Sequence, residues 1–372
     1  MFNVIRIPSF VKNLKPYKAG KPIDELVREK NLDRIVKLAS NENPIGPSPT
    51  AIKVIQKHVL GLNRYTDPAS HDLVQAISRK YSVQPNHIIC GHGTDSLLAY
   101  IINAFTTESD EVLTSEGTFI GIYVSVRKKG RKLVQVPLKN YGFDLDGIYN
   151  AITEKTAMIY LANPNNPTGT MFERTEFEAF MAKVPNHIMV ILDEAYTVYA
   201  EHNPEYPNGV GYEYENMVVT RTFSKAYGLA GLRIGFAVGP DAVIESLYKV
   251  KLPFEPGLLA QHAAVAALND DDFLDQTTAL NKKSLELLEK GFTEIGIQQV
   301  PSAANFILTI MPNEQFAATF CEECLNHGLI LRHVNTFGIP AGVRINSGTL
   351  DETNFALTVI KNVYQKLSGN LN

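Results

Sequence analysis

The stretch that decides the fold runs from Val218 to Gly235, V-V-T-R-T-F-S-K-A-Y-G-L-A-G-L-R-I-G. It opens as a β-branched run suited to the end of a buried strand, then sets Thr220, Thr222 and Ser224 on alternate positions ahead of a single lysine, Lys225. Glycines at 228, 231 and 235 let the backbone turn tightly and let something bulky approach. A second cation, Arg233, follows eight residues after the lysine. Hydroxyls, a lysine, glycines and an arginine in one short loop fit an anionic group held beside a lysine nucleophile. A Schiff base between lysine and a phosphate-bearing aldehyde, pyridoxal phosphate, needs both. Taken alone, the same residues also fit an ordinary surface lysine in a glycine-rich loop.

Outward from this stretch, short apolar runs alternate with helical ones. Val112–Leu113, Leu133–Val136, Ala157–Leu161, Ile188–Leu192, Val218–Thr220 and Ile234–Val238 read as strands, with a helix from about Phe119 to Lys128 between the first two. Ala157–Leu161 runs into N-P-N-N-P-T-G-T and Ile188–Leu192 into D-E-A-Y. This alternation predicts an α/β chain with a mainly parallel sheet flanked by helices, whose ligand groups collect past the carboxyl ends of the strands. Asn166, Asp193 and Lys225 all fall there. Asp193 would hold a pyridine nitrogen protonated through an ion pair, Tyr196 and Asn166 would hydrogen-bond the ring oxygen, and Phe119 would stack on the ring face. Singly, Asp193 fits a salt bridge or turn cap, Asn166 a turn residue before proline, and Phe119 and Tyr196 packed aromatics. The shared sheet edge favours the cofactor reading.

Upstream, Ile88–Cys90 reads as a strand entering G-H-G-T-D-S and a helix with Leu97, Leu98, Ile101, Ile102 and Phe105 on one face. Thr94 or Asp95 sits where an N-cap belongs, and the unpaired amides of that first turn make a phosphate seat. The third glycine of a dinucleotide fingerprint is missing. Before it come an arm with a short helix at Ile23–Lys30, the proline-rich loop L-A-S-N-E-N-P-I-G-P-S-P at 38–49, and helices at Ala51–Leu60 and His71–Tyr81 around N-R-Y-T-D-P. Downstream, helices are expected at Leu258–Ala267, Leu274–Phe292 and Glu314–His327, and strands at Ala304–Ile310 and Ala341–Asn346.

The 372 residues fit one large domain, 40–270, and a smaller α+β domain formed by 271–372 with the arm 1–39. A net charge of −4 lends nothing to nucleic-acid or membrane-surface binding, and no apolar run reaches the length of a membrane span. The N-terminus lacks a signal-peptide pattern, so the cytoplasm is the expected location. Cys321 and Cys324 form a C-x-x-C without a second pair or a histidine cluster. Phe316, Phe320 and Cys324 recur at helical spacing, so Cys324 reads as core. No metal site is expected.

N-P-N-N-P-T-G, L-D-E-A-Y and T-F-S-K-A-Y-G-L-A-G-L-R-I-G, in this order, resemble the fold-type-I pyridoxal-phosphate enzymes of the aspartate aminotransferase superfamily. L-A-S-N-E-N-P-I-G-P-S-P, N-R-Y-T-D-P and the late V-R-I-N-S-G-T narrow the resemblance to the histidinol-phosphate aminotransferase family, over about Tyr17 to Thr349. The resemblance implies that Lys225 forms the Schiff base and then moves the substrate proton. It implies that Thr94 and Asp95 through their backbones, with Thr222, Ser224 and Arg233, surround the cofactor phosphate. Tyr65 would reach the phosphate in the neighbouring subunit of a homodimer. Arg344 would grip the distal anion of the substrate, with Arg332 and Tyr17 as further phosphate-side groups. Two arginines suit a phosphate better than a carboxylate.

The implied reaction is ping-pong amine exchange between L-histidinol phosphate and 2-oxoglutarate, that is, between imidazole-acetol phosphate and glutamate. An aromatic-amino-acid aminotransferase and, more remotely, a pyridoxal-phosphate-binding regulator without turnover are the alternatives. Many relatives have Tyr where Phe119 stands, which keeps the stacking and loses a hydroxyl. Glu255 would lie near the substrate mouth or cap the helix that begins nearby.

Overall fold

The computed structural model of the protein describes residues 5, 7–14, 32 and 34–369. Tyr17 and the helix expected at Ile23–Lys30 lie outside the described residues. Numbered along the chain, β1 is Val36–Lys37, β2 Ile88–Gly91, β3 Glu111–Ser115, β4 Lys132–Val136, β5 Thr156–Ala162, β6 Met189–Asp193, β7 Met217–Thr222 and β8 Gly235–Val238. Then come β9 at Gln298–Val300, β10 at Phe306–Ile310, β11 at Leu329–Ile330, β12 at Arg332–His333 and β13 at Gly342–Asn346.

Seven strands form one sheet in the order β2-β8-β7-β6-β5-β3-β4. Its pairs are parallel except those of β8, which runs antiparallel to both β2 and β7. The exception has a local cause: residues 223–234 return the chain without an α-helix, and a parallel neighbour needs a helical crossover. β3 and β6 are buried end to end, and β5 and β7 at all but one residue each, because helices cover both faces. In β6, Met189 and Ile191 join the core with Leu97, Ile101 and Val126, while Val190 and Leu192 face Ile148, Phe177 and Phe180 on the other side.

A second sheet, β12-β13-β10-β9, is antiparallel throughout. Its core joins Ile307, Val343 and Ile345 to Leu288 and Phe292 of the helix Asp271–Glu294, Phe320 and Cys324 of Glu314–Asn326, and Ile360 of Leu350–Gly369. Cys324 is therefore core, as its spacing implied, and burial pushes both its thiol and that of Cys321 up. Among the described residues no helix is long and apolar enough to cross a membrane, and no group of metal-ligating side chains assembles.

The segment after β1 ties the two sheets together. β1 pairs in parallel with β11, Leu38 O accepts from Asn346 N at 3.1 Å, and Asn43 Nδ2 donates to Ala226 O at 2.8 Å beside the lysine. The lysine loop packs on this segment through Gly228, which has φ +69°; a Cβ there would stand 2.1 Å from Gly46 O. Gly235 is also closely packed, a Cβ there standing 2.8 Å from Arg221 O, whereas Gly231 has open space around it, so only two of the three glycines serve close approach. Gly228→Ala combines a left-handed backbone with a clash against main chain, so a loss of about 3 kcal/mol is expected in denaturant unfolding. An unchanged midpoint would show that the loop yields freely.

Candidate active site

β5, β6 and β7 are adjacent and parallel, with Ala162 opposite Asp193 and Asp193 opposite Thr220. Asn166, Asp193 and Lys225 thus leave the same edge of three neighbouring strands, as the alternating pattern predicted. They open into one cavity of about 520 Å³ that Thr94, Asp95, Phe119, Tyr196, Thr222, Ser224, Arg233, Arg332 and Arg344 also line. Tyr65 does not line it, and neither does Glu255. Tyr65 is 82% exposed and stacks on Phe254 with ring centres 4.3 Å apart, while Glu255 accepts a 2.6 Å hydrogen bond from Tyr100 Oη. Glu255 does not cap the next helix, Leu258–Leu268, whose N-cap is Gly257.

At the floor, Asp193 is held at both oxygens. Tyr160 Oη donates to Oδ2 at 2.7 Å and the Ala195 amide to Oδ1 at 3.1 Å. Burial raises its pKa to about 6 against those hydrogen bonds, and among the described residues no cation pairs with it. A buried carboxylate in this state accommodates a cationic ligand group. Behind it the next residue, Glu194, accepts from Nε and Nη2 of the buried Arg221 at 2.9 and 2.6 Å and from the Gly209 amide, which anchors the edge of the sheet.

Lys225 is half-buried, its Nζ donating to Ser40 O at 3.2 Å and standing 5.8 Å from the centre of the Tyr196 ring. Burial first, and then the charge of Arg344, lower its pKa to about 8. Tyr196 Oη accepts from Asn41 Nδ2 at 2.7 Å, and Phe306 packs edge-on against its ring. Phe119 is the N-cap of Ile120–Lys128.

The helix behind the anion seat is Gly93–Phe105, and its N-cap is His92, not Thr94 or Asp95. Gly93, at φ +75°, starts the helix earlier than side-chain preference implied, so Thr94 and Asp95 sit in the first turn with their amides free of intrahelical partners. The Asp95 carboxylate meets Arg233 Nη2 at 3.1 Å, and Arg233 Nη1 reaches Ser224 Oγ at 3.5 Å. Thr222 Oγ1 accepts from the Ser224 amide at 3.1 Å. A Cβ at Gly93 would lie 2.9 Å from Arg233 Nη2, and one at Gly235 would lie 3.2 Å from Thr94 N. The seat is therefore kept open by glycine and lined by donors, as a phosphate requires.

Opposite stand the two arginines. Arg332 and Arg344 are direct cross-strand partners in β12 and β13. Arg344 is buried, with Nη1 donating to Asn166 Oδ1 and Nη2 to Ala39 O at 2.7 Å. Like charges paired across strands repel, and an anion between them relieves this. A turn of donors around Arg233, a half-buried lysine, a buried carboxylate and two facing arginines fit pyridoxal phosphate with an anionic amine. Tyr160 and Asn41 escaped the reading of the sequence. The available signal for Tyr160 was a phenol inside an otherwise apolar strand, which must find a polar partner.

Comparison with known proteins agrees with this geometry. The chain belongs to the aminotransferase class I and II family, which matches residues 33–360. More particularly, it is 40% identical over 356 residues to histidinol-phosphate aminotransferase 2 of Hydrogenovibrio crunogenus, covering 95% of both chains. It is 42% identical over 344 residues to histidinol-phosphate aminotransferase 1 of Mannheimia succiniciproducens, covering 92% of this chain and 93% of that one. Among solved structures, it matches histidinol-phosphate aminotransferase from Sinorhizobium meliloti in complex with pyridoxal-5'-phosphate at a TM-score of 0.91 and 28% identity, over 98% of this chain and 99% of that one. The fold is that of the fold-type-I aminotransferases, as the motifs implied.

Proposed function

We propose that this protein is a pyridoxal 5'-phosphate-dependent aminotransferase exchanging an amino group between L-histidinol phosphate and 2-oxoglutarate, a step of histidine biosynthesis. The observation that carries the substrate is the cross-strand pair Arg332 and Arg344, both in the cavity that holds Lys225. The named relatives at 40% and 42% identity support it.

When bound, pyridoxal phosphate supplies an electron-accepting ring that acidifies the Cα–H of an attached amine. Lys225 takes that proton at Nζ and returns it, a task that a pKa near 8 suits at neutral pH. Asp193 would keep a proton on the ring nitrogen through an ion pair, with Tyr160 and the Ala195 amide fixing its carboxylate. Arg233, Ser224, Thr222 and the amides of Thr94 and Asp95 would hold the cofactor phosphate, and Phe119 would stack on the ring. Tyr196 and Asn166 would hold the ring oxygen. Arg344 and Arg332 bind the substrate phosphate and orient Cα toward Lys225, with Tyr17 as a further phosphate-side group. In the other half-reaction Arg344 would take the α-carboxylate of glutamate.

The division into a cofactor-carrying part, 40–270, and a smaller part formed by 271–372 with the arm belongs to this reading, as does a cytoplasmic homodimer. Tyr65 would complete the phosphate seat of the partner subunit. Its 82% exposure and its stack on Phe254 support that role, and so does the exposure of Leu60, Leu62 and Leu252 in the same two segments. The test is a single-turnover half-reaction: the protein loaded with pyridoxal phosphate is mixed with histidinol phosphate and, separately, with phenylalanine, and its visible absorbance is followed. Loss of the band at least about 100-fold more efficient with histidinol phosphate is expected, which corresponds to about 3 kcal/mol of discrimination by a charge-assisted site. Equal or better conversion of phenylalanine would move the reading to aromatic amino acids.

A further inference from the structure

We propose that Asn41 is a positioning residue that aims the Tyr196 proton into the cavity, and so sets the strength with which that phenol donates to the cofactor's ring oxygen. The proposal rests on the pyridoxal-phosphate reading above.

Asn41 is 1% exposed, adopts φ +55°, and is tied at its backbone groups as well as its side chain. Its amide donates to Asn346 Oδ1 at 3.1 Å, its carbonyl accepts from Asn305 Nδ2 at 3.2 Å, and its Nδ2 donates to Tyr196 Oη at 2.7 Å. Asn305 and Asn346 flank the edge of the second sheet, so the side chain is delivered to Tyr196 by a polar network rather than by a mobile loop. Its neighbours engage the same machinery: Ala39 O accepts from Arg344 and Ser40 O from Lys225.

A phenol has one proton and two acceptor positions. With Asn41 donating into one acceptor position, the proton is free to point elsewhere. Phe306 packs edge-on against one side of the ring, and the cavity lies beside it. The donation from Asn41 also makes the phenol a stronger donor, as linked hydrogen bonds polarise one another. A donor on the ring oxygen favours its anionic form, so the loaded site releases its proton at lower pH. Asn41 acts on that midpoint only through Tyr196.

The experiment is a pair of double-mutant cycles on the pyridoxal-phosphate-loaded protein, read by the pH midpoint of its visible absorption, by kcat and KM, and by thermal unfolding. Asn41→Gly removes the donor and keeps the left-handed backbone; Asn41→Asp keeps the shape and replaces the donor with an acceptor. Each is made alone and with Tyr196→Phe. Removing the donor is expected to raise the midpoint by about half a pH unit or more and to lower kcat about tenfold with KM nearly unchanged, the size of a lost polarising hydrogen bond. In the Tyr196→Phe background, the same changes are expected to add less than about twofold. A downward shift with Asn41→Gly would mean that the phenol donates to Asn41, and would overturn the proposal. So would effects that stay additive in both cycles, or a lowered unfolding temperature with an unmoved midpoint, which marks a purely structural role. Absence of a visible band in the unaltered protein would overturn the cofactor reading and this proposal together, whereas a band indifferent to Asn41 overturns this one alone.

Discussion

Lys225→Ala is expected to lower amine transfer at least about 10⁴-fold, because in the proposed reaction Lys225 is both the nucleophile and the group that carries the proton. The same change is expected to stabilise the ligand-free protein. The Lys225 pKa falls from 10.5 to about 8 through burial and the nearby Arg344. Below pH 8 the amine is charged in both folded and unfolded states, and the folded state bears the full penalty. Two and a half pH units correspond to about 3 kcal/mol, an upper bound because the exposed part of Lys225 faces a cavity that admits water. As pH rises from 8 to 10.5 the unfolded chain binds the extra proton, so the penalty fades and the stability of the unaltered protein climbs toward that of the variant. Unfolding curves at pH 7 and pH 10, beside single-turnover rates, check both halves. A variant that is less stable than the parent at pH 7 would mean that Lys225 is held by favourable interactions rather than kept in reserve for a ligand.

Asp193→Asn carries the second large effect. The amide preserves the outline and keeps one of the two accepted hydrogen bonds, that from Tyr160, but it cannot hold a proton on a ring nitrogen through an ion pair, so a loss of about 10³-fold in turnover is expected. Its effect on stability has the opposite pH sense to that of Lys225. The carboxyl ionises near 3.8 unfolded and near 6 folded. Below pH 3.8 both states hold the proton and there is no penalty; through the window the unfolded chain loses its proton first and stability falls; above pH 6 the penalty is complete, about 3 kcal/mol. The ligand-free Asp193→Asn variant should therefore outlast the parent at pH 7 and match it near pH 4. Retention of full turnover by Asp193→Asn would remove Asp193 from the mechanism.

Much of the site was legible because its residues sit where local chemistry marks them. Asp193 ends an unbroken apolar strand, Lys225 follows alternating hydroxyls into a turn, and Asn166 stands in a proline-bounded loop. The direction of β8 could have been read from the missing helix between Thr222 and Gly235. The cap of Gly93–Phe105 misled because Asp95, a preferred capping residue, spends its carboxylate on Arg233 instead.

What the sequence by itself determined is the inventory and the edge: parallel strands alternating with helices, and the polar residues released where each strand ends. Those follow from burial periodicity and turn chemistry, which act over a few residues. Only the tertiary structure decided the pairings. Tyr160 reaches Asp193 across 33 residues, Asn41 reaches Tyr196 across 155, and Arg344 reaches Asn166 across 178. The facing of Arg332 and Arg344 is a matter of strand register. No local pattern encodes such meetings, because each depends on which buried polar group the packed chain leaves in need of a partner.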